Sequence, residues 1–561
     1  MVSGPFLLPF HTEPIPAFWS EWWAAALGLA AAVAGLLAGR RRPLTLPPML
    51  GVPAVLVSAL LFQFMLGRLA FPQLGLLYAV YLLWAALLLV LGRCLADTVG
   101  LARLADVLAG AVAVGALAGA AIALAQWQGI AAGVPWIFPR TGGVFANLGQ
   151  ANHHAHYCWL GIASLFYLRG RGWLSRPLFW LAVLPVAFAS FISGSRSALL
   201  YPVILFGAIA WGRRREPGGA TASLLADAAV LLPLVVALDF MGAWLSSLLG
   251  SATSLSGARL YESVSGPSVR LALARSAWSA FGEHPWLGQG AGNFPWASFV
   301  AAAGRVGDEP FQVAENAHNF VLQGLAEFGA PVTLTVILLL LSWARRFAVR
   351  PWGLEQAWCG AVLGIGGVHA LLEYPLWYSY FLGPAALLLG ATDSGRAISL
   401  AGRRVAVYLA LAAVAGVSIL ASLRIDYSVI EAASQQPLAA HPDREQAWQI
   451  SMERLIRLHK ESLLSPWALL AFAELAEPSR RQAQDRVTLC ESGIRFAPAR
   501  SLLTRCAMQL AIGGRDADAQ ALVRAVLRAF PAERAATVEE LGKAARKFPE
   551  TVPLWALSLG R

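Results

Sequence analysis

Charge is scarce in this chain. Only 13% of its 561 residues are Asp, Glu, Lys or Arg, against about 25% in an average soluble domain. That excludes an ordinary cytosolic enzyme. With 57% apolar residues it also excludes a disordered chain, which needs low hydrophobicity and high charge. Lysine is almost missing: of 43 basic residues only Lys460, Lys543 and Lys547 are lysine, all towards the C-terminus. Five cysteines occur, with no CxxC pair and no His/Cys cluster at metal-ligand spacing, so no metal or other cofactor is expected. Cys94, Cys158 and Cys359 lie in or beside apolar stretches and read as small hydrophobes. The first 425 residues carry no paired-carboxylate motif, which argues against metal-assisted chemistry there. No basic segment precedes an apolar one at the N-terminus, so no signal peptide is evident.

What is abundant is apolar length. A hydrocarbon core of roughly 30 Å needs about 20 mostly apolar residues. Twelve such stretches follow one another: 18–39, 46–66, 71–92, 104–126, 154–169, 177–193, 197–212, 222–246, 319–344, 355–372, 377–391 and 405–424. The 21 Trp and 26 Phe suit aromatic belts at two water interfaces. The expected fold class is all-α, a polytopic membrane protein of about 12 transmembrane helices with a C-terminal helical domain.

Arginine gives the stretches a direction. Arg40–Arg42 follow the first, Arg93 the third, Arg169, Arg171 and Arg176 the fifth, and Arg213–Arg215 the seventh. Arg345, Arg346 and Arg350 follow the ninth, and Arg396, Arg403 and Arg404 the eleventh. In an alternating topology all these fall on one side, which the positive-inside bias makes the cytoplasm. Much of the net charge of +11 is therefore a topology signal and not a nucleic-acid surface. The N-terminus and everything after Arg424 then lie outside, in the periplasm of a Gram-negative-type envelope.

Composition changes near Ile425. Residues 1–425 read as a transmembrane catalytic domain with a large outer loop at about 247–318, and residues 426–561 as an outer helical domain. In the latter, 481–496, 500–512 and 516–530 read as short helices punctuated by Pro498 and Pro531, in the manner of tetratricopeptide hairpins. Such a domain reads as a packing cap or as a protein-docking surface. Cys490 and Cys506 fall on neighbouring helices there, where the compartment permits a disulfide. Asp516-Ala-Asp518 looks like the DxD of metal-dependent glycosyltransferases, but it follows Gly513-Gly514 in a hairpin turn, where helix capping is the better reading.

The same topology gathers the polar motifs on the outer face. Residues 127–153 contain Arg140 and Asn147-Leu-Gly-Gln150-Ala-Asn152-His153. Ser193-Gly-Ser-Arg196 joins two short stretches. The large loop carries Arg270, then His284-Pro-Trp-Leu-Gly288-Gln-Gly290-Ala-Gly292, and ends in Asn316-Ala-His318-Asn319. Glu373-Tyr374-Pro-Leu-Trp377-Tyr378 forms a short loop. Each has a structural reading. Arg196 snorkels to water, Arg270 lies on a solvated helix face, Gln150 and Asn152 cap a helix, Tyr374 and Tyr378 are belt aromatics, and His318 is a satisfied structural histidine. Each also has a chemical one. Arg among small residues suits a buried phosphate, and a neutral imidazole suits a general base. The glycine run follows no strand, so it is read as a tight turn allowing close backbone approach and not as a dinucleotide loop.

Taken in order, Asn-Leu-Gly-Gln-x-Asn-His, Ser-Gly-Ser-Arg, Arg270 with His-Pro-x-x-Gly-x-Gly, Asn-Ala-His-Asn and Glu-Tyr-Pro-Leu-Trp-Tyr resemble the PglL-type bacterial protein O-oligosaccharyltransferases of the O-antigen ligase and polymerase superfamily. The resemblance covers about residues 5–385. It implies an inner-membrane glycosyltransferase with a periplasmic active face. A preassembled oligosaccharide would pass from undecaprenyl pyrophosphate to Ser or Thr hydroxyls of a periplasmic protein or pilin, without a metal. It further implies His318 as the base and Arg196, Arg270 and Arg140 as pyrophosphate ligands. Gln150, Asn152, Asn319, Tyr374 and Tyr378 would be substrate contacts. Relatives also carry one more span before 18–39, so the chain is expected to begin near the end of that span. The competing expectations are a ligase or polymerase with a sugar acceptor, and a lipid-linked glycan transporter.

Overall fold

The computed structural model describes residues 1–39, 44–139, 143–248, 269–305, 313–393, 398–400, 402–435 and 444–560. Each of the twelve apolar stretches is helical. They form α1 (Phe18–Ala38), α2 (Gly51–Met65), α3 (Pro72–Thr98), α4 (Leu101–Trp127), α5 (Ala151–Gly170), α6 (Arg176–Ile192), α7 (Tyr201–Arg215) and α8 (Ala220–Leu248). Two loop helices follow, α9 (Val269–Glu283) and α10 (Phe294–Ala303). Then come α11 (Phe320–Ala348), α12 (Leu354–Leu372), α13 (Ser379–Thr392) and α14 (Gly402–Gln435). Seven helical segments among the described residues are long and apolar enough to cross a membrane: those within α1, α3, α4, α8, α11 and α14, and Pro48–Met65, which joins α2 to the 3-10 turn before it.

The five remaining helices are shorter or more polar, and α5 shows why. All of its side chains from His153 to Leu168 are buried, so it meets protein on every face and needs no lipid-compatible surface. Ser164, His154 and His156 are tolerated there because they face packed neighbours. Packing against α4 uses small residues: a Cβ on Gly161 would lie 2.1 Å from the Ala116 Cβ, so only glycine permits the approach. Trp159 donates to Ser190 Oγ on α6 at 3.1 Å, and Trp358 on α12 donates to Ser164 Oγ at 3.2 Å.

By internal packing the chain forms two units. One comprises Met1–Ala54, Tyr81–Gly266 and Val336–Leu420; the other comprises Val55–Val80, Pro267–Thr335 and Ala421–Arg561. The sequence boundary at 425/426 thus falls inside α14, and the C-terminal helices group with the outer-loop segments.

In the first unit, basic residues from distant loops meet. Arg346 donates to the buried Asp393 carboxylate at 3.0 Å, and Arg93 donates to the Asp393 carbonyl at 2.9 Å. Arg350 donates to the Thr392 carbonyl at 3.4 Å and Arg215 to the Ala348 carbonyl at 3.1 Å. A short antiparallel pair, β1 (Leu44–Leu46) with β2 (Ile398–Leu400), joins the same region, and Thr45 bonds Asp97 at 2.6 Å. Arg93, Arg215, Arg346 and Arg350 come from three of the clusters that the charge map puts on one side. Arg40–Arg42 and Arg396 lie outside the described residues.

The second unit includes α15 (Arg444–Glu461), α16 (Ser465–Leu475), α17 (Ala483–Phe496), α18 (Arg500–Ile512), α19 (Asp516–Ala529), α20 (Arg534–Lys547) and α21 (Val552–Ser558). Ala519, Val523 and Val526 recur at i, i+4 and i+7 on α19, and all three enter one apolar core with α17, α18, α20 and α21. Phe299 and Ala302 of α10 belong to that same core, so the C-terminal helices grip the outer loop. Cys490 and Cys506 form a disulfide between α17 and α18. No side chain caps α19. Asp518 instead pairs with Arg515 at 2.8 Å, and both aspartates sit in the first turn, where the helix dipole favours negative charge.

Candidate active site

His318 stands at the entrance to α11. Its φ of +52° is left-handed, one of three such non-glycine residues among those described. That conformation costs on the order of 1–3 kcal/mol and persists only where the surroundings impose it. They do so on both sides. Ala317 is buried and donates its N–H to Gln323 Oε1 at 2.7 Å. Asn319 Oδ1 accepts from the N–H groups of Val321 and Leu322 at 3.0 and 3.1 Å, capping α11. Ala317 also packs with Ala277 and Ala280 of α9 and with Phe294 and Ala326. Leu273, Ala277 and Ala280 follow at i, i+4 and i+7. Arg270, three residues before Leu273, therefore stands on the α9 face that carries the contact to the His318 loop.

The glycine run holds α11 from the other side. At Gly329 (φ +77°) the helix breaks, and Ala330 donates its N–H to the Pro285 carbonyl at 2.8 Å. Pro331 has no N–H at all. The carbonyls of Ala326 and Glu327 thereby lose their helical donors. Gln289 N–H fills the first at 2.8 Å. Gly290 N–H (3.2 Å) and Gln63 Nε2 (2.7 Å) fill the second. Gln63, buried on α2, also donates to the Leu287 carbonyl at 3.0 Å and accepts from Ala291 N–H at 3.0 Å. Glu327 Oε1 accepts from Gly292 N–H at 3.0 Å. A Cβ on Gly288 would lie 2.2 Å from the Glu327 backbone, and its φ is +70°, so the position requires glycine on both counts. The run is the close backbone approach that its composition predicts.

In the first unit the other candidates gather. Gln150 precedes α5 with extended backbone, and its side chain makes no cap. Asn152 is not a cap either: its Nδ2 donates to Glu373 Oε1 at 2.7 Å, and its Oδ1 accepts from Ser195 Oγ at 2.7 Å. Arg196 follows Ser195 directly, half-buried, at the start of a 3-10 turn that Gly194 (φ +71°) makes sharp. Tyr374 follows Glu373, stacks on Tyr378 at 5.9 Å between ring centres, and meets the His153 ring edge-on at 6.2 Å. Arg140 lies outside the described residues. Among the described residues no group of three His, Cys, Asp or Glu is arranged to hold a metal ion.

Comparison with known proteins falls on the same segments. A family model described as "O-Antigen ligase" matches residues 180–337, which include Arg196, Arg270 and His318. One described as "Virulence factor membrane-bound polymerase, C-terminal" matches residues 357–543. A curated general O-oligosaccharyltransferase of Acinetobacter baylyi is 27% identical over 508 residues, spanning 87% of this chain and 86% of its own length. The chain thus resembles O-antigen ligases over one segment and a general O-oligosaccharyltransferase over most of its length. It is a membrane glycosyltransferase.

In this transferase, the residues that hold the candidate groups carry weaker sequence signals than the groups themselves. Glu373 and Ser195 sit inside motifs but show no separate signal. Gln323 is four residues beyond Asn319, one helical turn on, which is a readable spacing. Gln63 is a lone amide in an apolar span, and such a residue carries a default expectation of function or of a specific partner.

Proposed function

We propose that this transferase moves a preassembled oligosaccharide from undecaprenyl pyrophosphate to Ser or Thr hydroxyls of a periplasmic acceptor protein or pilin. The observation that carries the reading is His318: a titratable side chain held in a costly backbone conformation by Gln323 and Asn319 at a helix entrance. Strain retained at a polar turn is the mark of a working residue more than of a packing one. In the reaction His318 accepts the proton of the acceptor hydroxyl as its oxygen attacks the anomeric carbon. The bond from that carbon to the phosphate oxygen breaks, the pyrophosphate leaves on its lipid, and the sugar configuration inverts. Arg196 and Arg270, with Arg140, bind the pyrophosphate and stabilise the charge that develops on it. A positioned base contributes about 10²–10⁴-fold. Gln150, Tyr374 and Tyr378 contact substrate, Asn152 links the Glu373 and Ser195 side chains, and Asn319 caps α11.

The periplasmic orientation draws support from two independent features. Arginines gather at one end of the first unit, the pattern of a cytoplasmic face. The Cys490–Cys506 disulfide belongs to an oxidising compartment. In this reading twelve helices span the membrane and the C-terminal helices form a tetratricopeptide-like outer domain.

The test is transfer by purified protein from a lipid-pyrophosphate-linked oligosaccharide to an acceptor protein, without ATP. His318→Ala should abolish product without lowering the amount of folded protein. Near-normal transfer by that variant would remove His318 from the mechanism. The descriptions of the two matched families favour a second reading, a sugar acceptor. Co-expression with a lipid-linked glycan and a candidate pilin separates the two, because decoration of lipopolysaccharide alone would leave only the sugar acceptor.

A further inference from the structure

Three of the candidate groups come from three different elements of the first unit. Gln150 precedes α5, Arg196 follows the α6 turn, and Tyr374 follows α12. Two hydrogen bonds of 2.7 Å tie these elements together, Asn152 Nδ2 to Glu373 Oε1 and Ser195 Oγ to Asn152 Oδ1. Glu373 and Ser195 are 2% and 1% exposed, so the link is shielded from water. A low local dielectric strengthens such bonds and makes a mismatched partner costly.

Their directions are set by chemistry. Glu373 Oε1 accepts from the Asn152 amide. Asn152 must therefore turn its NH₂ towards Glu373, which turns its carbonyl oxygen towards Ser195. Ser195 must then donate, which pins the residue directly before Arg196. The turn is closed from the other side by Ser195 N–H to Ser193 Oγ (3.3 Å) and Ser193 Oγ–H to the Ser190 carbonyl (2.6 Å). Glu373 itself is anchored by its N–H to the His369 carbonyl at 2.8 Å.

We propose that Glu373 is a positioning residue. Through Asn152 and Ser195 it sets the polarity of the link that aims Arg196, and it fixes the backbone from which Tyr374 projects. This rests on the transfer reaction proposed above. Glu373 touches no reacting atom in this role; it serves as the acceptor that orients Asn152.

A polarity swap tests it. In Asn152→Asp two carboxylates face each other, and the link opens. In Glu373→Gln the introduced amide oxygen still accepts from Asn152. In the double variant N152D/E373Q the amide and the carboxylate exchange places. The introduced amide then donates its NH₂ to the introduced carboxylate, whose second oxygen still accepts from Ser195, so the link re-forms with reversed polarity. Turnover per folded enzyme should fall about 10-fold or more in N152D, since small misplacements of a charge-stabilising group cost up to about 10²-fold. KM for the acceptor protein should stay within about 2-fold, because the link aims the donor-side arginine. The double variant should recover to within about 3-fold of E373Q. The substrates are a polyprenyl-pyrophosphate-linked disaccharide and the acceptor protein, with full-length enzyme counted by fluorescence of the monodisperse peak. Wild-type turnover in N152D, or a double variant no better than N152D, overturns the positioning role. Loss confined to the amount of folded enzyme also overturns it, since a purely structural link changes abundance and not turnover. Wild-type enzyme with no transfer at all overturns the reaction and this role together, so the two failures are told apart.

Discussion

Replacing Gln63 with alanine should open the glycine strap while leaving every motif residue in place. The side chain makes three hydrogen bonds: a part-buried one to the Leu287 carbonyl, and buried ones to the Glu327 carbonyl and from the N–H of Ala291. The Glu327 carbonyl keeps a second donor in Gly290 N–H at 3.2 Å. The Leu287 carbonyl and the Ala291 N–H lose the partner that Gln63 provided. A buried polar group left without a partner costs about 1–3 kcal/mol, so local opening should become easier by about 3 kcal/mol after partial relaxation. At about 1.4 kcal/mol per decade that is about 100-fold. Hydrogen exchange of the amides of Gln289, Gly290 and Ala291 should accelerate by about that factor. Transfer activity should fall in parallel, because the strap supports the helix that begins beside His318. Gln63→Met separates the causes. It restores bulk without either polar group, so exchange should stay fast if hydrogen bonds dominate. Exchange within about 3-fold of wild type in Gln63→Ala would refute the account of the strap.

Further outcomes follow from the same geometry. Arg196→Lys should reduce turnover by about 10-fold or more with normal abundance, because an ammonium cannot reproduce the guanidinium fork on a pyrophosphate; steady-state kinetics at saturating donor checks this. Phe299→Ala should cost about 3–5 kcal/mol, since this 2%-exposed side chain of α10 lies in the core of the C-terminal helices and stacks near Phe530. Thermal unfolding followed by tryptophan fluorescence should show it, and activity should drop with every acceptor alike. A loss restricted to particular acceptors would mean that the C-terminal helices act by docking alone. Removing the disulfide as C490A/C506A should lower the thermal midpoint, because a bond closing a loop across 16 positions is worth about 3 kcal/mol in the chain-entropy account. An unchanged midpoint would show that packing of α17 on α18 suffices.

Much of the architecture was legible because membrane burial is written in composition. All twelve apolar stretches are helices, with ends shifted by up to eleven residues. Only seven meet the length and hydropathy of a span by themselves. One exception, α5, is explained by its burial in protein, which removes the need for a continuous apolar surface. The candidate residues were legible as motifs, but their roles were not. Asn152 and Gln150 read alike as helix caps in the sequence. In the structure Asn152 bridges Ser195 and Glu373, while neither side chain caps α5. Asn319, expected to meet substrate, caps α11.

Taken alone, the order of amino acids determined what depends on local composition and spacing: a helical membrane protein, the clustering of its arginines between apolar stretches, the tight glycine turn at 288–292, and a set of polar motifs. Tertiary structure decided what depends on partners far apart in the chain. It decided that Gln63 answers for a carbonyl 264 residues away and that α10 joins the core of the C-terminal helices. It also decided that a glutamate at 373 meets an amide at 152. The physical reason is that a buried polar group must find a complementary one wherever the fold brings it. Spacing along a sequence does not encode that meeting.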